Sequence, residues 1–147
     1  MKYTCTININ SNINKVVELW QNEDHFKDWQ DGFVKIDPVS GEPGTAGAKS
    51  KILFQQGKRK MELLETIITN DLPREKTALY EHIHMTNLQT TRFEALENNE
   101  TCYISEVAYT KFVGLVPKLM ARFFPGVFKK QSQKWMKQFK EFVEKTG

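Results

Sequence analysis

The feature that most constrains the fold of this chain is a change in the spacing of its apolar residues. Between Phe33 and Phe112, apolar side chains recur at about every second position, and turn residues interrupt the pattern repeatedly. A period of two is typical of half-buried β-strands, so this region predicts six strands in a meander. After Gly114 the period becomes helical, and apolar residues mark one face of a helix over about 126–145. The pattern therefore predicts an α+β chain whose strands precede a long C-terminal helix.

The N-terminal part of the chain adds one strand and two short helices. Residues 2–9 alternate in character, as expected for a half-buried strand. Apolar residues then recur at helical spacing over Ile13–Trp20, and a second short helix is predicted to begin at Asn22. No linker or internal repeat divides the chain, so we expect residues 1–147 to form a single domain.

Charge is distributed unevenly and bears on the class of partner. Residues 1–110 carry 12 Lys/Arg and 16 Asp/Glu, whereas residues 111–147 carry 9 Lys/Arg and 2 Asp/Glu, so the net charge of +3 combines −4 with +7. The C-terminal lysines alternate with apolar residues and have few arginines among them. That arrangement favours a solvated helix face over a nucleic-acid interface, and we expect no nucleic-acid partner.

Other residue patterns exclude several kinds of site and compartment. Cys5 and Cys102 match neither a disulfide scaffold nor a metal site. The glycine-rich loop over 41–47 joins two strands and opens no helix, so it does not predict a phosphate site, and we expect no cofactor. No segment predicts a signal peptide or a membrane span. These observations favour a cytoplasmic protein; they do not indicate an oligomeric state.

The order of elements resembles the helix-grip fold of the START/polyketide-cyclase (SRPBCC) superfamily, and short stretches strengthen the likeness. Ile7–Trp20 is similar to its opening strand and first helix, and His25–Trp29 is similar to its second helix. Val39–Gly47 is similar to its glycine-rich loop, and Leu72-Pro73 is similar to the turn before its tyrosine-bearing strand, with Tyr80 as the tyrosine. Glu100-Thr101 is similar to the start of its last strand. The resemblance covers essentially the whole chain. It implies a helix-grip fold (β-α-α-β6-α), in which a seven-stranded curved antiparallel sheet wraps around the C-terminal helix.

The resemblance also implies a cavity between sheet and helix for an apolar or amphipathic ligand. The distribution of phenylalanine agrees with this, because six of the ten lie in residues 112–147. Bulky aromatic rings fill a curved gap imperfectly, although plain core packing explains the same residues equally well. A cavity would suit a small hydrophobic molecule such as a lipid, an isoprenoid or a polyketide.

Turn positions give one prediction of how the later strands pair. If Asn98-Asn99 forms a two-residue hairpin, Phe93 lies opposite Ile104; if Thr86-Asn87 turns likewise, Tyr80 lies opposite Phe93. A single bulge would reverse part of this assignment.

This pairing separates the side chains of the three strands into two faces. One face places Glu81 opposite Arg92, a sensible exposed cross-strand pair, so we expect the other face to point inward. His82, Thr91 and Glu106 then align across neighbouring strands on the inward face. A histidine–carboxylate pair in an apolar pocket can transfer protons, anchor the polar end of a ligand, or simply form a buried hydrogen-bonded network. His82, His84 and Glu106 fall short of a four-ligand zinc site, so we expect no metal.

Three functions remain open. The leading one is a carrier of a small hydrophobic ligand. The second is an enzyme of the cyclase/dehydratase type, with His82 and Glu106 as the catalytic acid–base pair. The third is an interaction module that contacts membranes transiently or assists chaperones, using Leu115-Val116-Pro117 and Phe123–Gly126. The predicted ligand-binding residues are Phe54, Tyr80, His82, Thr91, Phe93, Ile104, Glu106, Phe128, Trp135, Met136 and Phe139.

Overall fold

The computed structural model describes residues 1–146 and contains one antiparallel sheet with four α-helices around it. The strands are β1 (Lys2–Ile9), β2 (Phe33–Ser40), β3 (Lys49–Gln56), β4 (Arg59–Asp71), β5 (Glu75–Glu81), β6 (Met85–Ala95) and β7 (Thr101–Phe112). The helices are α1 (Ile13–Gln21), α2 (Phe26–Trp29), α3 (Leu115–Phe123) and α4 (Gly126–Lys145). The last position of the predicted domain, residue 147, lies outside the described residues.

Strands β2 to β7 form a meander, and β1 adds to the sheet beside β7. Its spatial order is β1-β7-β6-β5-β4-β3-β2, and every neighbouring pair is antiparallel. The predicted α+β helix-grip architecture, with seven strands and a long C-terminal helix, is confirmed. Within residues 1–146, no helix is long and apolar enough to cross a membrane.

Helix α4 packs its apolar face into the sheet because that face repeats every three or four residues. Met136, Phe139 and Val143 are all buried on this helix. The ring of Phe139 lies 5.0 Å from that of Trp29 on α2 and 5.6 Å from that of Tyr103 on β7. The core therefore joins α4 to the sheet and to the short helices, and it leaves the rest of the concave face open.

The hairpin between β5 and β6 turns earlier than expected. The backbone N–H of His82 donates to the carbonyl of Met85 at 2.9 Å, so Ile83 and His84 form the turn. As a result Tyr80 lies opposite Asn87, and the predicted turn at Thr86-Asn87 is wrong.

The hairpin between β6 and β7 is one residue out of the predicted register. Asn98 and Asn99 both have a positive φ, but they belong to a longer loop in which Leu96 N–H donates to Glu100 O, at 2.8 Å. Phe93 therefore lies opposite Tyr103, and the predicted pairing with Ile104 is wrong. Since side chains alternate along a strand, this shift turns every β7 side chain to the other face.

Candidate functional site

A cavity of about 370 Å³ lies between the concave face of the sheet and α4. Its walls are mainly apolar: Ile52, Phe54 and Leu63 come from β3 and β4, and Trp135 and Met136 come from α4. The rings of Phe54 and Trp135 stack 5.3 Å apart. This volume falls within the range of small-molecule sites, roughly 300–1,000 Å³.

A hydrogen-bonded pair of polar side chains lines this cavity on the central strands. Glu65 on β4 and Tyr80 on β5 lie directly opposite each other, and the Tyr80 hydroxyl donates to Glu65 Oε2 at 2.7 Å. Burial raises the pKa of the Tyr80 phenol well above its usual value, and the Glu65 carboxylate raises it further. The phenol therefore keeps its proton at neutral pH and acts as a donor, while Glu65 offers acceptor oxygens to the cavity.

Two further charged groups lie near Glu65. Lys76, also on β5, lines the cavity and places its Nζ 5.3 Å from the ring centroid of Trp20. Burial raises the pKa of the Glu23 carboxyl, and so does the Glu65 carboxylate, whereas Lys76 opposes the rise. The polar part of the cavity thus contains both signs of charge beside an apolar wall.

A groove of about 430 Å³, which we call the mouth, adjoins the cavity and shares six lining residues with it: Phe54, Met61, His82, Met85, Gln131 and Trp135. The β3–β4 hairpin contributes Arg59 and Lys60 to the groove, the β5–β6 turn contributes Ile83, and α3 contributes Pro117. Burial lowers the pKa of His82, and the neighbouring His84 and Arg59 lower it further. His82 is therefore a largely neutral imidazole at neutral pH.

The predicted ligand-binding residues fall into three groups in the structure. Six line the cavity: Phe54, Tyr80, His82, Phe128, Trp135 and Met136. Thr91, Phe93 and Phe139 are buried but contribute no surface to it. Ile104 and Glu106 occupy positions on β7 that alternate with the buried Tyr103, Ser105 and Val107, so they point to the convex face.

The predicted acid–base pair of His82 and Glu106 is not brought together. Glu106 lies on the outer face, where Arg92 Nη2 donates to its Oε1 at 2.5 Å. That hydrogen bond lowers the pKa of Glu106. The predicted partner of Arg92 is also wrong, because Glu81 lies opposite Thr86. The expectation that His82, Thr91 and Glu106 share one face fails because the β7 register was displaced by an odd number of residues.

Sequence reasoning missed the carboxylate that does line the cavity. Met61, Leu63, Glu65 and Ile67 share one face of β4, and Glu65 is the charged member of this otherwise apolar series. A charge at an inward position of an alternating strand is a readable signal, because burying an isolated carboxylate is costly. Among residues 1–146, no three His, Cys, Asp or Glu side chains are placed to hold a metal ion.

Comparison with known proteins gives a match at the level of structure. Neither the family models nor the curated proteins that were compared match this sequence. The Zhui aromatase/cyclase from Streptomyces has a TM-score of 0.80 at 9% identity, covering 98% of this chain and 93% of that one. A Thermus thermophilus protein has a TM-score of 0.79 at 14% identity, covering 100% and 99%.

A plant enzyme gives a third match. Norcoclaurine synthase from Thalictrum flavum, solved with dopamine and hydroxybenzaldehyde, has a TM-score of 0.72 at 14% identity, covering 100% of this chain and 88% of that one. Identities this low establish the fold alone. The chain has the helix-grip fold that its sequence resemblance implies.

Proposed function

We propose that this protein binds and carries a small hydrophobic molecule, such as a lipid, an isoprenoid or a polyketide, in the cavity between its sheet and α4. The observation that carries the proposal is a cavity of about 370 Å³ whose walls are mainly apolar and which contains the hydrogen-bonded pair of Tyr80 and Glu65. Apolar walls supply most of the binding free energy in such sites, and a few polar groups orient the ligand.

The polar groups suggest which end of the ligand they hold. The Tyr80 hydroxyl donates its proton to Glu65, so Glu65 supplies the negatively charged acceptor of the cavity lining, and Asn87 Oδ1 is a further, neutral acceptor there. A ligand with an apolar body and a hydroxyl or protonated amine at one end would complement this arrangement. A carboxylate-ended ligand would instead meet Glu65 as a like charge, and Lys76 is the one lysine or arginine that lines the cavity among residues 1–146.

Filling the cavity is expected to abolish most of the binding. Ser105 is buried on the inward face of β7 and lines the cavity, so Ser105→Phe would place a ring in the ligand's volume. We expect the affinity for the neutral apolar fluorophore N-phenyl-1-naphthylamine to fall at least ~10-fold. Fluorescence titration measures this directly, with Ser105→Ala as the matched control.

Two further measurements keep that test decisive. Gln89→Trp fills the same cavity from β6 and covers the case in which Ser105→Phe disturbs the core. Equal affinity in the wild type and both filled variants would reject the cavity as the binding site. Native mass spectrometry of the purified protein then identifies any ligand retained from the cell.

Removing the charge of Glu65 is expected to change which head group is preferred. In competition against the fluorophore, decylamine should displace it better than decanoate, because Glu65 accepts a charge-assisted hydrogen bond from the ammonium. Glu65→Gln should weaken decylamine by about 10-fold, the loss of roughly 1.5 kcal/mol, and leave the fluorophore unaffected. The exposed Glu62→Gln on the same strand is the control. A preference for decanoate in the wild type would contradict the head-group assignment.

A cyclase or dehydratase is the second candidate. Its acid–base pair would be Tyr80 and Glu65, which are in contact, in place of the predicted pair of His82 and Glu106. The protonated phenol is a possible acid, and the carboxylate beside it is a possible base. The two candidates predict different fates for a retained ligand. A carrier releases it unchanged, whereas an enzyme of this type releases a product that has lost water or gained a ring.

A further inference from the structure

Large apolar side chains project into solvent around the mouth of the cavity. Ile83, at the tip of the β5–β6 turn, is 77% exposed, and Leu115 and Val116 at the start of α3 are 73% and 70% exposed. Phe123 and Phe124 at the end of α3 are 63% and 60% exposed. We call these residues, together with Val127 in the first turn of α4, the apolar crown. So many exposed apolar side chains in one region indicate an interaction surface.

The segments that carry the crown adjoin the mouth, although Leu115, Val116, Phe123 and Phe124 do not line it themselves. Ile83 lines the groove together with Pro117 of α3, and Val127 lines the cavity itself. The backbone N–H of Val113 donates to the carbonyl of His84 at 2.7 Å, which ties the start of α3 to the β5–β6 turn. The three segments are thus neighbours around one opening.

Cationic side chains accompany the crown, and acidic ones are absent from the same stretch. Residues 107–140 contain no Asp or Glu. Exposed cations within or beside the crown segments are Lys111, Lys118, Arg122, Lys129 and Lys130. None of these five forms a salt bridge within the described part of the chain. The exposed Arg59 and Lys60 line the groove and add two positive charges, whereas Asp31, which also lines it, pairs with Lys134.

Protruding apolar side chains that have cations without salt-bridge partners beside them complement the surface of an anionic membrane. Apolar groups insert into the interface of a bilayer, and each Lys or Arg near an anionic membrane adds roughly 1 kcal/mol of attraction. A second copy of this chain fits less well, because pairing two crowns would bring two sets of cations together. We propose that the apolar crown docks the mouth of the cavity onto an anionic lipid bilayer.

Docking in this orientation has a consequence for the proposed ligand. An apolar molecule that leaves the cavity through the mouth would enter the acyl region without crossing water, which removes the cost of hydrating it. This consequence rests on the proposed carrier function. The docking itself does not, since it is measured with vesicles and needs no occupant in the cavity.

Vesicle flotation of the full chain tests the proposal. We expect the protein to bind phosphatidylcholine vesicles that contain one-third phosphatidylglycerol at least ~10-fold more tightly than pure phosphatidylcholine vesicles. Raising the salt from ~0.1 M to ~0.5 M should weaken binding to the anionic vesicles by at least ~5-fold, because the cations are screened. Equal binding to both kinds of vesicle, or to neither, would overturn the proposal.

Paired variants separate the crown from general hydrophobicity. Phe123→Ser combined with Phe124→Ser should reduce binding to anionic vesicles at least ~10-fold. The matched control, Val39→Ser combined with Ile68→Ser, removes two side chains of 51% and 46% exposure that lie outside the crown, and it should bind as the wild type does. Lys118→Glu combined with Arg122→Glu should reduce the binding and its salt dependence together.

Other readouts distinguish this proposal from the remaining explanations. The Phe123/Phe124 variant should keep its affinity for N-phenyl-1-naphthylamine in solution, so a failure of docking and a failure of ligand binding are seen separately. Equal vesicle binding by the wild type and that variant would overturn the crown as the docking surface. A dimer of the wild type that the same variant converts to a monomer would also overturn it, because the crown would then be covered by a second copy.

Discussion

Phe139→Ala is expected to destabilise the protein by ~3–5 kcal/mol, the usual result of truncating a fully buried phenylalanine. Phe139 has no exposed surface, and its ring lies against those of Trp29 and Tyr103. The alanine would lose these contacts and leave a void between α2, α4 and β7. Urea unfolding followed by circular dichroism measures the change in the free energy of unfolding.

Phe123→Ala is the matched control for this prediction. It removes the same side chain from a position that is 63% exposed, so the free energy of unfolding should change by no more than about 0.5 kcal/mol. Similar losses for the two variants would mean that α4 does not pack into the sheet as described. A large loss for Phe139→Ala alone would support α4 as the element that closes the core.

The architecture could be predicted from the sequence because hydrophobic periodicity depends on which face of each element is buried. The alternation in β1 and the three- and four-residue spacing of Met136, Phe139 and Val143 correspond to buried faces in the structure. The start of α1 has a local signal as well, because Asn12 accepts a hydrogen bond from the backbone N–H of Lys15 at 3.0 Å. Such signals depend on residues that are close in the sequence, so they can be interpreted without knowing which elements pack together.

Pairing between strands was harder to predict, because it depends on turns whose conformation periodicity does not define. The β5–β6 turn at Ile83 and His84 carries no glycine, proline or asparagine, and the expected turn was placed at Thr86-Asn87 instead. This misplaced Tyr80 by six positions, from Phe93 to Asn87. An even displacement preserves the face, so Tyr80 and His82 still line the cavity.

The β6–β7 error was smaller and had the larger effect. Its displacement of one residue moved Glu106 from the inward to the outward face and took the expected catalytic carboxylate out of the cavity. The carboxylate that does line the cavity, Glu65, belongs to a strand whose inward residues were not assigned from turn lengths. The identity of the polar site therefore followed from the register, whereas the existence of a cavity followed from the fold.

A pair of glutamates introduced on β7 tests this register directly. Val107 is 2% exposed and lies between Tyr3 of β1 and Gln89 of β6, so Val107→Glu would bury a carboxylate between two uncharged strand neighbours. We expect a loss of ~3–5 kcal/mol in the free energy of unfolding, as for other uncompensated buried charges. The next residue, Ala108, points to the convex face, where its neighbour on β1 is Lys2.

Ala108→Glu should therefore change the free energy of unfolding by no more than about 0.5 kcal/mol. Urea unfolding of both variants gives the comparison, and a Val107→Glu protein that fails to fold while Ala108→Glu folds normally is the same result in stronger form. The opposite order, with Ala108→Glu the damaging change, would mean that even-numbered β7 residues face α4. Glu106 would then point to the cavity, and Glu65 would not be the one carboxylate that lines it among the described residues.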